Sequence, residues 1–235
     1  MLSSEISTLL TGRIIEFCIY PFCFEESEQY KKELGKQLSN DFADFLELGG
    51  YPFRFNLESK DDVKSYLNEL YNNICEKDIF SRDAEIEKIK FNKIASYVLL
   101  NAGNDFNPES IYNYFDKMEK TFLIKPIYRY NISGKQILKS NPKYYAIDNG
   151  MRIIKSNSNN YDRGRFLENL ICFELLSRGY EVYIGKTYKG EVDFVVIKNG
   201  KKCFIQVAYV MESEKTIARE FSAFSPIKDA SPKYV

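Results

Sequence analysis

The 235-residue chain contains no histidine. That removes Ser-His-Asp and Cys-His catalysis and every His-ligated zinc site, and leaves Asp, Glu, Lys or Tyr as candidates for a general base. Its five cysteines (Cys18, Cys23, Cys75, Cys172 and Cys203) are scattered, with no Cys-x-x-Cys pair. An odd number without paired spacing suits free thiols in a reducing compartment, so a cytoplasmic location is expected. No apolar run approaches the roughly 18 residues of a membrane span. Residues 1–10 lack the basic and then apolar pattern of a secretory signal. No Gly-x-x-x-x-Gly-Lys-Ser/Thr stretch occurs, so a phosphate-cradling loop, and with it an ATP site, is not part of this sequence.

What is present suffices for a packed core: 44% hydrophobic and 15% aromatic residues, the length of one large domain or two small ones. The net charge is zero but unevenly spread. Residues 1–119 hold 13 Lys/Arg against 22 Asp/Glu, residues 120–160 hold 8 against 1, and residues 161–235 hold 12 against 10. The basic middle is interleaved with Tyr128, Tyr130, Tyr144 and Tyr145. Lys135, Lys139 and Lys143 are therefore candidate contacts to a nucleic-acid backbone, the alternative being a solvated face that complements the acidic first half.

Periodicity divides the chain further. Arg13–Tyr20 reads as a strand stopped by Pro21. Residues 25–119 read as helices: Phe42–Leu48 ending at Gly49-Gly50, Asp61–Asp78 with an apolar stripe from Val63 to Ile74, and Ile86–Leu100 with Ile89, Ile94, Tyr97 and Val98 inward. Another helix opens at Pro108 and runs through Met118. Residues 121–147 turn strand-like after that helix, the outline of a winged helix, and Asn157–Asn160 reads as a linker. Residues 161–235 read helix (Arg163–Arg178), strand (Glu181–Ile184), strands Glu191–Ile197 and Cys203–Tyr209, then helix (Glu212–Phe224). Asn199-Gly200 between two apolar runs is a strong hairpin signal, because both residues tolerate positive φ.

That hairpin carries the most informative residues. Asp193 lies on its first strand and Gln206 on its second. Glu168 lies on the apolar helix before them, where a carboxylate is costly unless it is paired or bound to metal. The trio is a candidate site in which Glu168 and Asp193 could hold a divalent ion; a salt bridge from Glu168 to Arg165 or Lys186, and an exposed Asp193, are the structural alternatives. An acidic residue on one strand, then a carboxylate two residues before a lysine on the next, resembles the metal site of PD-(D/E)XK nucleases. Here Gln206 and Ala208 stand where the carboxylate and lysine would be.

Across nearly its whole length the chain resembles the C-terminal half of bacterial and archaeal AAA-type ATPases with an uncharacterised, restriction-endonuclease-like C-terminal domain. The resemblance rests on residues 2–13, Pro21–Glu25, Phe45–Pro52 with its Gly-Gly-Tyr-Pro, Tyr66–Ile79, and Tyr112–Phe115. It continues in Lys143–Asp148, Gly164–Asn169, Glu191–Phe194, Ile205–Tyr209 and Pro232–Val235. It implies an α/β (α+β) fold: the end of an ATPase core (1–24), a helical lid (25–119), a winged-helix-like basic region (120–160) and a degenerate nuclease-like domain (161–235). It also implies that ATP and Mg²⁺ belong to a nucleotide-binding portion absent here, so that this chain has no cofactor and no catalytic residue of its own. The partners implied are DNA or a protein, with no membrane, and an oligomer for the full-length ATPase. Between Phe106 and Ile111 the chain is shorter than this family, by a helix. The function expected is an accessory portion that binds DNA or a protein; a Mg²⁺-dependent nuclease or a truncated remnant are the alternatives.

Overall fold

The structure is a computed structural model that describes residues 15, 17–36, 41–106, 111–156 and 161–235. The helical first half begins with α1 (Phe24–Glu33) and α2 (Asp41–Leu48). A 3₁₀ turn over Pro52–Asn56 leads to α3 (Lys60–Ile74), which starts at Ser59, whose hydroxyl accepts the N–H of Asp62 at 3.1 Å. Asp61 and Asp62 add negative charge at the positive end of the helix dipole. Val63, Leu67 and Tyr71 make the buried stripe expected of this helix. The stripe continues through Cys75 and Ile79, but over Cys75–Phe80 the backbone widens to a π-helical turn.

The next helix, α4 (Lys88–Leu100), corrects an expectation. Its buried residues are Phe91, Ala95, Val98 and Leu99, whereas Ile89 is 67% exposed and Tyr97 61% exposed. Two stripes at helical spacing compete here. The one containing small Ala95 beside large Phe91 wins, because Phe91 seats against Phe80, with Tyr114 beside it. Helix α5 (Tyr112–Lys120) follows, and the part of its expected start at Pro108 lies outside the described residues, as do the shortened stretch after Phe106 and the Asn157–Asn160 linker.

Six strands form one mixed sheet in the order β2-β1-β3-β4-β5-β6. They are β1 (Ile124–Asn131), β2 (Gln136–Ala146), β3 (Glu181–Lys186), β4 (Glu191–Lys198), β5 (Lys201–Ile205) and β6 (Lys233–Tyr234). The helix-then-ribbon outline of residues 112–146 is present as α5, β1 and β2. The ribbon is not free-standing, because β1 also pairs in parallel with β3 through Arg129, Tyr130 and Asn131. Pro142 is tolerated within β2 because β2 is an edge strand. Of the strand expected over Arg13–Tyr20, residues 15 and 17–20 are described and join no ladder; Ile15, Phe17 and Ile19 stand out of the protein with no strand beside them.

Helix α7 (Arg163–Ser177) ends at Gly179, φ +76°. Its all-round apolar sequence has a direct cause, since it is covered on two sides. Phe166 packs with Leu46, Leu67 and Ile153 of the helical half, while Cys172 and Phe173 pack on the sheet with Ile127, Ile184 and Phe194. The opposite sheet face is covered by Phe224 and Ile227, which follow α8 (Glu214–Ser222) and pack on Val192, Val195 and Phe204. Short α6 (Asn149–Ile153) joins the halves: its Arg152, 1% exposed, donates to the carbonyls of Leu99 at 3.0 Å and Arg165 at 2.9 Å. No helix among the described residues is long and apolar enough to cross a membrane.

Candidate functional site

The β4–β5 hairpin forms as the sequence predicts. Asn199 (φ +52°) and Gly200 (φ +73°) make the turn, and Lys198 pairs with Lys201. At the other end of β4 the ladder to β3 slips. Tyr183 pairs with Val195 and Gly185 with Val192, so two residues, Asp193 and Phe194, face one, Ile184. Such a bulge re-aims side chains. Phe194 packs on the α7 side of the sheet, while Val192 and Val195 pack on the other.

Asp193 sits in this bulge, and its Oδ2 accepts the N–H of Val207 at 2.7 Å. Burial pushes its carboxyl up to about 7, and the nearby charge of Glu168 pushes the same way, as does Glu220; the Val207 N–H and Lys143 oppose the shift. Glu168, from α7, accepts the hydroxyl of buried Tyr145 at 2.6 Å. The salt bridges considered for it do not form in this way, since Arg165 pairs with Asp162 at 3.3 Å. Glu168 and Asp193 thus share one electrostatic site, with Tyr145 beside both.

Gln206 joins them differently from the expectation. Its Oε1 accepts the backbone N–H of Asp193 at 3.3 Å, and its Nε2 donates to Glu220 at 3.1 Å. It bridges the β4 backbone to α8 and points no oxygen at the carboxylate pair. The expected strand Cys203–Tyr209 also ends early, at Ile205, because the Val207 N–H turns to the Asp193 carboxylate instead of the ladder.

Three contributors were not foreseen. Glu220, 8% exposed and paired with Arg219, closes the site from α8. Glu191 binds Arg129 at 2.8 Å and Lys143 at 2.9 Å. The charge of Lys143 acts on the Asp193 carboxyl and favours its ionised form. The signal of Lys143 in the sequence, a lysine in a basic segment, pointed to the surface. Two carboxylates are within the set Mg²⁺ uses. Yet one Asp193 oxygen is held by an N–H, the Gln206 oxygen is spent on the backbone, and no group of three or more His, Cys, Asp or Glu is arranged for a metal among the described residues. This donor set does not fit a Mg²⁺ centre for phosphodiester cleavage.

The basic middle segment is largely consumed internally. Lys120 pairs with Asp116 at 2.8 Å, Arg129 with Asp105 and Glu191, and Lys143 with Glu191. Arg152 is buried on carbonyls, and Lys155 lies 3.2 Å from the centroid of the Tyr71 ring, where burial pushes its ammonium down to about 8. Lys135 and Lys139 are exposed, whereas Lys143 is bound to Glu191.

A second buried carboxylate, Asp148, holds the halves together. It accepts the N–H of Gly50 at 2.6 Å and of Gly150 at 2.7 Å. Gly49-Gly50 is therefore more than the helix stop read from sequence. A Cβ on Gly49 (φ +74°) would lie 1.7 Å from Asp148 Oδ1, and one on Gly50 2.1 Å from the Phe22 carbonyl oxygen.

Residues 39–161 match a family described as a domain of unknown function, DUF8612. The matched stretch holds Gly49, Gly50 and Asp148 and stops before Glu168, Asp193 and Gln206. An uncharacterized protein of Haemophilus influenzae is 30% identical over 230 residues, covering 89% of this chain and 56% of that protein. An uncharacterized protein of Methanocaldococcus jannaschii is 30% identical over 259 aligned residues, covering 97% of this chain and 57% of that protein. The chain thus spans a little over half the length of these curated relatives. No solved structure matches it.

Proposed function

We propose that this chain, which belongs to the DUF8612 family, is the accessory portion of an AAA-type ATPase, one that binds nucleic acid without cutting it. In this reading α1–α4 are the lid, α5 with β1 and β2 the winged-helix-like part, and α7 to β6 a degenerate nuclease-like unit. ATP and Mg²⁺ act only in a nucleotide-binding portion outside this sequence. The observation that carries the reading is that the charge of Glu168 on α7 acts on the Asp193 carboxyl of β4, with the third position, Gln206, neutral and turned to Glu220. Two carboxylates carried by a covering helix and a hairpin resemble the plan of a phosphodiester-cleaving site. Without a third ligand or a lysine at position 208 this pair lacks the groups that position water and stabilise charge.

The test uses the purified chain. Expected are binding to labelled DNA that weakens as salt rises, no phosphate release from ATP, and no nicking of plasmid with Mg²⁺ or Mn²⁺. A Mg²⁺-dependent nuclease is the second reading, favoured by Lys143 beside Glu191, two residues from Asp193. Nicking abolished by Asp193→Ala would select it. Absence of any nucleic-acid binding would leave a protein as the partner.

A further inference from the structure

We propose that the groove between the β4–β5 turn and the C-terminal segment binds single-stranded nucleic acid, with phosphates on its lysines and a base on Tyr234. The proposal rests on the reading that the chain binds nucleic acid, and it moves the contact surface away from the ribbon of residues 120–160.

The groove has a volume of about 700 Å³ and is lined by Tyr180, Lys198, Lys201, Lys202, Asp229 and Tyr234 among others. Asp229 is the one carboxylate in that lining, and it is spent. It pairs with Lys202 at 2.5 Å and accepts the Ser231 N–H and hydroxyl at 2.8 and 2.6 Å. Lys202 and Ser231 hold its carboxyl well below the usual range, so it stays an anion committed to Lys202. Two other lysines bond to carbonyls rather than to a carboxylate. Lys198 donates to the carbonyl of Arg178 at 2.6 Å, and Lys233, beside the groove, to the carbonyl of Asp229 at 2.7 Å. A carbonyl orients an ammonium without cancelling it. Lys201 is exposed in the turn.

This contrasts with the ribbon, where Lys143 and Arg129 share the carboxylate of Glu191. The groove also offers ring faces. Tyr234 is 56% exposed, and Lys198 Nζ lies 5.1 Å from the centroid of Tyr180. A lysine-lined track with an exposed aromatic ring suits a strand whose bases are unpaired, because stacking needs a free base face. The site is held firm by the closed turn at Asn199-Gly200 and by the pairing of β5 with β6. Lys198 lies five positions along β4 from Asp193, roughly 17 Å of strand. A strand held here lies clear of the carboxylates that would repel it, in keeping with binding without cutting.

The experiment is fluorescence anisotropy on the whole chain with labelled oligothymidylate, oligouridylate and a DNA duplex, across a salt series. A Lys201→Glu/Lys233→Glu variant should bind about tenfold more weakly and lose about two from its log-affinity-against-log-salt slope. Tyr234→Ala should weaken single-strand binding about tenfold with the slope unchanged. Lys135→Glu/Lys139→Glu should bind as the parent does, and thermal melts should match throughout. The DNA and RNA arms identify which strand is preferred, and either preference supports the site. Groove variants that bind like the parent, or tighter binding to duplex than to either single strand, would overturn the groove while leaving nucleic-acid binding intact. A parent chain that binds none of the probes would overturn the functional reading itself.

Discussion

Two aspartates, buried Asp148 and half-buried Asp193, divide this molecule between support and chemistry. Asp148 and Asp193 are both raised by burial, to about 6 and about 7 respectively. Their surroundings are opposite. Asp148 receives two backbone N–H groups, and the charge of Arg54 favours its ionised form. Asp193 receives one N–H and faces two glutamates that disfavour ionisation. A buried carboxylate given donors is a fastener. One given like charges stores unfavourable energy at a single place, which is how sites that bind or react are commonly built. The family match covers the fastener and stops short of the strained site.

The largest effect should come from breaking the fastener. In Gly49→Ala the new methyl would fall 1.7 Å from Asp148 Oδ1 and 2.3 Å from its Cγ, at a φ of +74°. The carboxylate cannot swing away without leaving the Gly50 and Gly150 N–H groups unbonded inside the protein. Strain and lost charge-assisted bonds together should cost about 3 kcal/mol or more. Gly179→Ala has a similar φ of +76° but nothing within 4 Å, and should cost about 1 kcal/mol. Urea unfolding of both variants checks the difference; equal losses would mean that φ alone, not Asp148, sets the need for glycine at position 49.

How much of this was legible from sequence depends on the reach of each signal. The Asn199-Gly200 hairpin and the stop of α7 at Gly179 are local, and both stand as read. That the Glu168 charge reaches Asp193 fits a helix covering a paired hairpin. The clasp did not follow, because Gly50 and Asp148 are 98 residues apart and no local pattern joins them. Gln206 does lie beside Asp193, but its bonds to the Asp193 N–H and to Glu220 follow from the placement of α8, which no local pattern gives. Net charge counts side chains without their partners, so the sequence could not show that Arg129, Lys143 and Arg152 bond to groups brought in by other elements.

A second effect, with about 4 kcal/mol only as its ceiling, bears on the two aspartates through pH. Both have folded-state values above the ordinary 3.8 of an unfolded aspartate. The folded protein therefore binds more protons than the unfolded chain between pH 4 and about 7, and stability falls as pH rises through that window. For Asp193 the loss is at most about 4 kcal/mol by the conversion of about 1.4 kcal/mol per pKa unit. Asp193→Asn keeps an acceptor for the Val207 N–H and removes the charge that Glu168 and Glu220 oppose. It should equal or exceed the parent in stability at pH 7.5 and flatten the decline between pH 4.5 and 7.5. Denaturant melts at the two pH values measure this. A variant that loses stability at pH 7.5 would mean that the Asp193 charge is supported, making it a second fastener.

The smallest predicted effect bears on the strained site alone. Lys143 is held against Glu191 at 2.9 Å, with its side chain only 17% exposed, and its charge favours ionised Asp193. Lys143→Met removes that charge and keeps much of the apolar stem. The Asp193 carboxyl should then titrate higher still, by somewhat less than one unit, because Arg129 still neutralises part of Glu191 and partly solvated charges are screened. Lys135→Met, in the exposed β1–β2 turn, removes the same charge at the surface and should leave that titration in place. Carboxyl-carbon chemical shifts followed against pH in the parent and both variants read this directly. An Asp193 titration unmoved by Lys143→Met would detach Lys143 from the carboxylate site and remove the one observation that favours a working nuclease over a binding relic.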